Sequence, residues 1–147
     1  IIASNHSAAA DPFLLGSTIP RELWFMAKRE LFESFFQKMI ISRVNAFPVD
    51  RFSFDLEVIK KSISLLNEGK ALIMFPQGTR SIRLPRGRIG MMEIALRYEK
   101  TIVPVGCNGC DLVYTGSLPI GRKGKIVYLI GEPITYDDLS EFHIDEP

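Results

Sequence analysis

The sequence predicts an α/β domain with a mostly parallel central sheet and helices on both faces. Three observations carry that prediction. Short apolar runs alternate with stretches of helical character along the chain. The runs lack the clean polar alternation of strands that face water on one side, as expected for parallel strands covered on both faces. No repeat, linker or low-complexity segment divides the 147 residues, which suffice for one domain with a sizeable core.

The first strand is expected at 1–4 (IIAS), followed by NHSAAAD. Pro12 favours a helix starting near Asp11, itself a good cap residue. Further strands are expected at 23–27, 46–49, 71–75, 102–105 and 125–130. A helix over 30–42 carries an apolar stripe of Phe32, Phe35, Phe36, Met39 and Ile40, widened by Leu31 and Ile41. That stripe suits packing against the sheet, a groove for an apolar chain or a face resting on a bilayer. A second helix over 53–67 has Ser53 as its cap, Asp55 and Glu57 in its first turn, and Gly69 just past its end. A third is expected over 90–99. In open α/β sheets ligands gather at the carboxyl ends of strands. Here those ends present His6, then Asp50 and Arg51, then Gln77, Gly78, Thr79 and Arg80, then Gly106.

Basic and acidic residues nearly balance, 18 against 17, which argues against a nucleic-acid partner. Locally the balance breaks: Arg80, Arg83, Arg86 and Arg88 crowd one stretch without an acidic residue among them. The last three suit a solvated or membrane-facing basic loop. No secretory leader and no apolar run of the roughly 18 residues that span a bilayer is present. The Ile-Ile start and the EFHIDEP end read as those of a fragment. An N-terminal membrane-associating segment and the native C-terminus are expected outside it. Cys107 and Cys110, in CNGC, are the only cysteines, and suit either a redox or metal pair or two small residues in a glycine-bearing bend. Neither His6 nor His143 supplies a metal-ligand partner at local spacing, and His143 is assigned no role. Sparse cysteine fits a reduced, cytosol-facing protein.

His6 and Asp11 stand five residues apart, a spacing that turns their side chains to different faces of a continuous helix. A strand ending at His6 and a helix beginning near Asp11 would bend the backbone and let them meet. NHSAAAD, then AFPVDR, FPQGTRS and IVPVG, taken in this order, resemble the four motifs of the glycerolipid acyltransferases. The branch most similar is that of the lysophosphatidic acid acyltransferases. The resemblance runs from Asn5 to the GEPI at 131–134 and implies the glycerol-3-phosphate acyltransferase-like fold.

The resemblance implies transfer of a fatty acyl group from acyl-CoA or acyl carrier protein to the free hydroxyl of lysophosphatidic acid, giving phosphatidic acid. His6 would be the general base and Asp11 its orienting carboxylate. A histidine of ordinary pKa near 6.5 can accept the hydroxyl proton at neutral pH, and a carboxylate on its other ring nitrogen fixes the tautomer. No protein nucleophile is needed, and no G-x-S-x-G elbow is present. Backbone amides around residues 5–8 are candidate oxyanion donors. Arg51 and Arg80 would bind the acceptor phosphate, with Gln77, Gly78 and Thr79 in the same loop and Pro104 on the acyl-donor side. Arg88-Ile89-Gly90 lies where the family often has Lys-x-Gly. No metal or cofactor is implied, and the substrates point to a membrane surface on the cytoplasmic face.

Gln77 departs from the pattern, for the family commonly has F-P-E-G-T-R. Losing the glutamate charge weakens any ion pair to a nearby arginine, yet it also removes repulsion of a phosphate. The alternatives are an acyltransferase for another acceptor (glycerol-3-phosphate, another lysophospholipid or an aminolipid) or a catalytically silent lipid- or phosphate-binding module.

Overall fold

The computed structural model describes residues 1–35, 39, 41, 43–50, 55–83, 85–114 and 122–141. Six strands form one sheet: β1 (Ile2–Ser4), β2 (Leu23–Lys28), β3 (Ala46–Val49), β4 (Ala71–Met74), β5 (Val103–Asn108) and β6 (Val127–Ile130). Their order across the sheet is β3-β2-β4-β1-β5-β6. All neighbours run parallel except β5 and β6. The α/β class with a mostly parallel sheet is therefore the observed one.

The two faces of the sheet are read from alternate residues of the same strands. Leu23, Phe25 and Ala27 of β2 and Ala71 and Ile73 of β4 join Ile2 and Leu15 in one core. Leu15 comes from α1 (Asp11–Thr18). The intervening Leu72, with Trp24 and Met26 packed beside it, joins Leu65 and Leu66 on the other face. Those leucines belong to α2 (Leu56–Asn67). Ile94 and Ala95, on α3 (Gly90–Arg97), cover the same side farther along. Leu15, Leu65, Leu72 and Ile73 are essentially fully buried. Each such side chain contributes about 1.5–3 kcal/mol relative to exposure. Two further short helices lie among the described residues, α4 (Cys110–Val113) and α5 (Tyr136–Glu141).

Several boundaries differ from expectation for local reasons. The cap of α2 is Asp55, whose carboxylate accepts from the Glu57 and Val58 N–H groups at 3.0 and 3.4 Å. The expected cap, Ser53, lies outside the described residues. Gly69 does end α2, with a φ of 75° that glycine adopts freely and its N–H donated to the Leu66 carbonyl. Of the helix expected over 30–42, a 3₁₀ turn at Arg29–Phe32 is described, and Phe35, Met39 and Ile41 are helical. The apolar stripe divides: Leu31, Phe32 and Ile41 pack into the core, while Phe35 and Met39 are exposed. Phe36 and Ile40 lie outside the described residues. Strand β5 runs on to Asn108, so Gly106 sits within it, opposite Leu129, rather than past its end. No described helix is long and apolar enough to cross a membrane.

Candidate active site

Strand β1 lies between β4 and β5, so the residues following it emerge at the middle of the sheet's carboxyl edge. There the chain turns through residues 5–10 into α1. Asn5 anchors the turn: its side-chain amide donates to the Cys107 carbonyl at 2.8 Å and accepts the Cys107 N–H at 2.6 Å. Sequence reasoning missed this residue, although its place between strand and turn was a signal.

The bend brings His6 and Asp11 together. His6 Nδ1 is 2.8 Å from Asp11 Oδ2, with the two residues 7% and 1% exposed. Asp11 does not cap α1, as expected from its type; its carboxylate turns back over the preceding bend. Oδ2 also accepts the Ser7 N–H at 2.7 Å and the Ala8 N–H at 2.8 Å. Burial pushes the Asp11 carboxyl up, but the hydrogen bonds from His6, Ala8 and Ser7, with the Cys110 thiol, outweigh burial and hold it below its ordinary value. The carboxylate thus stays ionised beside the imidazole. On its other side the His6 ring stacks on Phe75, centroids 4.2 Å apart. These contacts engage Nδ1 and one ring face and leave Nε2 without a partner among the described residues.

The FPQGTRS segment closes over the same turn. The Ser81 N–H donates to the His6 carbonyl at 2.8 Å. Gln77, only 7% exposed, accepts the His6 N–H through Oε1. Its Nε2 donates to the carbonyls of Arg83 at 3.3 Å and Ser81 at 3.5 Å. Gly78 has a φ of 69°, and a Cβ there would stand 2.5 Å from Arg88 Nε, so both backbone and space favour glycine. The Arg88 N–H donates to the Pro76 carbonyl at 2.7 Å, closing the loop at its base. Thr79 and Arg80 are exposed, immediately before the Ser81–His6 contact. Arg80, Arg83 and Arg86 form no ion pair among the described residues. Arg51 lies outside the described residues. Pro104 sits within β5 opposite Ala3, its carbonyl accepting the Gly131 N–H at 2.9 Å.

Two expectations change here. The N–H groups of His6, Ser7 and Ala8 are donated to Gln77 and Asp11, so they are not available as oxyanion donors. Cys107 and Cys110 bring their sulfurs within 4.8 Å of an Asp11 oxygen, in the pattern of a metal cluster. Burial raises both thiols above their ordinary pKa, Cys110 strongly, and the carboxylate nearby reinforces it. Protonated thiols are poor nucleophiles, which argues against a redox pair, and the two cysteines pack with Ala8 in a small buried cluster. The bend is glycine-bearing, as the other reading required: Gly109 has a φ of 90°, and a Cβ there would meet the Lys125 carbonyl at 2.3 Å.

A buried His–Asp couple thus lies beside an arginine-bearing loop at the carboxyl edge of the sheet. The sequence model of the Acyltransferase family matches residues 1–108. The chain belongs to the acyltransferase family. A 1-acyl-sn-glycerol-3-phosphate acyltransferase of Bacillus subtilis is 33% identical over 95% of this chain and 69% of its own length. One from Streptococcus pneumoniae is 31% identical over 97% of this chain and 53% of its own. The chain therefore spans between about half and two thirds of these relatives. The crystal structure of the 1-acyl-sn-glycerophosphate (LPA) acyltransferase PlsC from Thermotoga maritima superposes with a TM-score of 0.76. That match is 23% identical and covers 98% of this chain and 57% of the other, so this acyltransferase domain shares its fold.

Proposed function

We propose that this acyltransferase domain moves a fatty acyl group from a thioester, on coenzyme A or acyl carrier protein, to the free hydroxyl of lysophosphatidic acid. The observation that carries the reading is the buried His6–Asp11 pair, with Nε2 unengaged among the described residues, beside arginines without described ion-pair partners. The names of the relatives support the acceptor. Lysophosphatidic acid is an anionic amphiphile, and guanidinium groups give it planar, charge-assisted contacts.

In the reaction the acceptor hydroxyl attacks the thioester carbonyl while His6 Nε2 takes its proton. Asp11 stabilises the imidazolium that forms on the opposite ring nitrogen. The tetrahedral intermediate collapses by breaking the carbon–sulfur bond, and His6 returns the proton to the departing thiolate. Side chains and substrates account for every step, so no metal or prosthetic group is invoked. A base of this kind contributes roughly 10²–10⁴-fold, and the remainder must come from positioning and charge stabilisation. Arg80 reads as the first contact of the acceptor phosphate.

The substrates' location argues for work at a lipid surface on the cytoplasmic side. Loop 79–89 suits it: Ile82 and Ile89 are 81% and 60% exposed among the arginines, offering apolar contact within a positive rim.

The test is thiol release from a long-chain acyl-CoA, with lysophosphatidic acid added or omitted, for the full-length protein and its His6→Ala variant. Release that requires both acceptor and His6 is expected. Release indifferent to His6 overturns the mechanism. A folded protein that binds the acceptor yet transfers nothing, with CoA or carrier-protein donors and with other acceptors, is a binding module instead.

A further inference from the structure

Gln77 occupies a position where its size matters less than the opposite characters of its two ends. Oε1 meets an N–H, that of His6, and Nε2 meets two carbonyl oxygens, those of Arg83 and Ser81. That arrangement admits only one orientation of the amide, because the reverse would set NH₂ against N–H and oxygen against oxygen. All of this polar capacity is spent on backbone, inside the protein. The His6 peptide unit is held from two directions by one segment: its N–H by Gln77 and its carbonyl by Ser81. Phe75, which stacks on the His6 ring, lies two residues before Gln77.

The geometry points to Gln77 as a positioning residue, an amide strut that sets the His6 backbone with its oxygen and pins the arginine loop with its nitrogen, without itself contacting the acceptor. This rests on the acyl-transfer reading above. It also gives the departure from the familiar glutamate a physical meaning. A carboxylate would still accept the His6 N–H, but it would face the Arg83 and Ser81 carbonyls without a proton to share. In this chain the amide replaces charge with a donor, and the acceptor's phosphate meets the arginines with no carboxylate between them.

The two ends predict separable effects. Gln77→Met, of similar length with neither polar end, frees the His6 backbone. Its kcat falls about tenfold or more, since small misplacement of a catalytic group has costs of that order, while KM for lysophosphatidic acid stays within about threefold. Gln77→Glu keeps the oxygen toward His6 and loses the donor toward the loop. Its kcat falls less than that of the Met variant, while its melting temperature falls more.

The experiment measures kcat, KM and melting temperature for the full-length wild type and both variants. Separation of kcat from melting temperature between the two variants is the expected result, one that a purely structural residue would not produce. A Met variant with unchanged kcat and raised acceptor KM overturns the inference in favour of direct substrate contact. Losses of kcat that track melting temperature equally in both variants overturn it in favour of a structural role alone. Absence of transfer by the wild type would instead sink the acyl-transfer reading on which the inference rests.

Discussion

Residues 5–11 at the end of β1 and residues 79–89 of the neighbouring loop are joined by the Ser81–His6 hydrogen bond, yet they treat charge oppositely. In the first stretch the ionic groups are buried and partnered: the Asp11 carboxylate takes three donors, and the His6 ring is held at Nδ1 and by stacking. In the second, the guanidinium groups of Arg80, Arg83 and Arg86 are exposed and unpaired among the described residues. A base must be oriented before the substrate arrives, because reorganisation during the reaction adds to the barrier. An anion site gains from the reverse, keeping its charge uncompensated until the ligand supplies the partner. The hydrogen bonds of Gln77 and Ser81 let the two stretches differ in freedom while remaining in register.

Breaking the buried stretch has the largest expected effect. Asp11→Asn keeps an oxygen over the bend but removes the charge opposite the imidazolium, and kcat should fall about 100-fold. The same variant changes the response to acid. The folded-state pKa of Asp11 lies below the ordinary carboxyl value of 3.8. Its stabilisation is therefore present above that value and lost as pH falls toward the folded pKa. The wild-type melting temperature should drop on acidification below about pH 4, and that of the Asn variant less steeply. Equal slopes would mean that the carboxylate's contacts do not favour its ionised form.

Arg80→Gln tests the open stretch with a smaller effect. Loss of one charge-assisted contact should raise KM for lysophosphatidic acid about tenfold, with kcat little changed. An equal rise for an uncharged monoacylglycerol acceptor would remove the phosphate from the account. The smallest effect belongs to the loop tip. Arg83→Gln and Arg86→Gln should each weaken sedimentation with phosphatidylcholine vesicles containing phosphatidate about fivefold, with little change on vesicles lacking it. Loss on both kinds of vesicle, or on neither, would separate this loop from anionic lipid.

The fold was largely legible because parallel strands buried on both faces are near-continuous apolar runs, and AFPV and ALIM announce themselves. The His6–Asp11 meeting was legible too, since a bend between them follows from their spacing and from Pro12. The direction of the Asp11 carboxylate was not. It depends on backbone angles through residues 7–10, where alanines carry no signal. Gln77 was found as a motif position, but its partner His6 is 71 residues away and no local pattern records that pairing. The cap of α2 was misplaced because Ser53 and Asp55 are both good caps. Helix α5 was overlooked even though its signature was present: Thr135 and Asp138 exchange hydrogen bonds as a capping pair, with the Thr135 N–H 2.7 Å from the Asp138 carboxylate.

The central place of β1 has a consequence for how the domain comes into being. Its partners are distant in the chain, Ile2 pairing with Ile73 and Ala3 with Pro104. The segment bearing His6 thus leaves the ribosome before either neighbour exists, and both sides of its slot are filled only once β5 has emerged. Closure over such separations is slow relative to local helix formation. Within this domain His6 precedes both neighbours of its strand, so a nascent chain stopped short of β5 carries the histidine without the setting built around it.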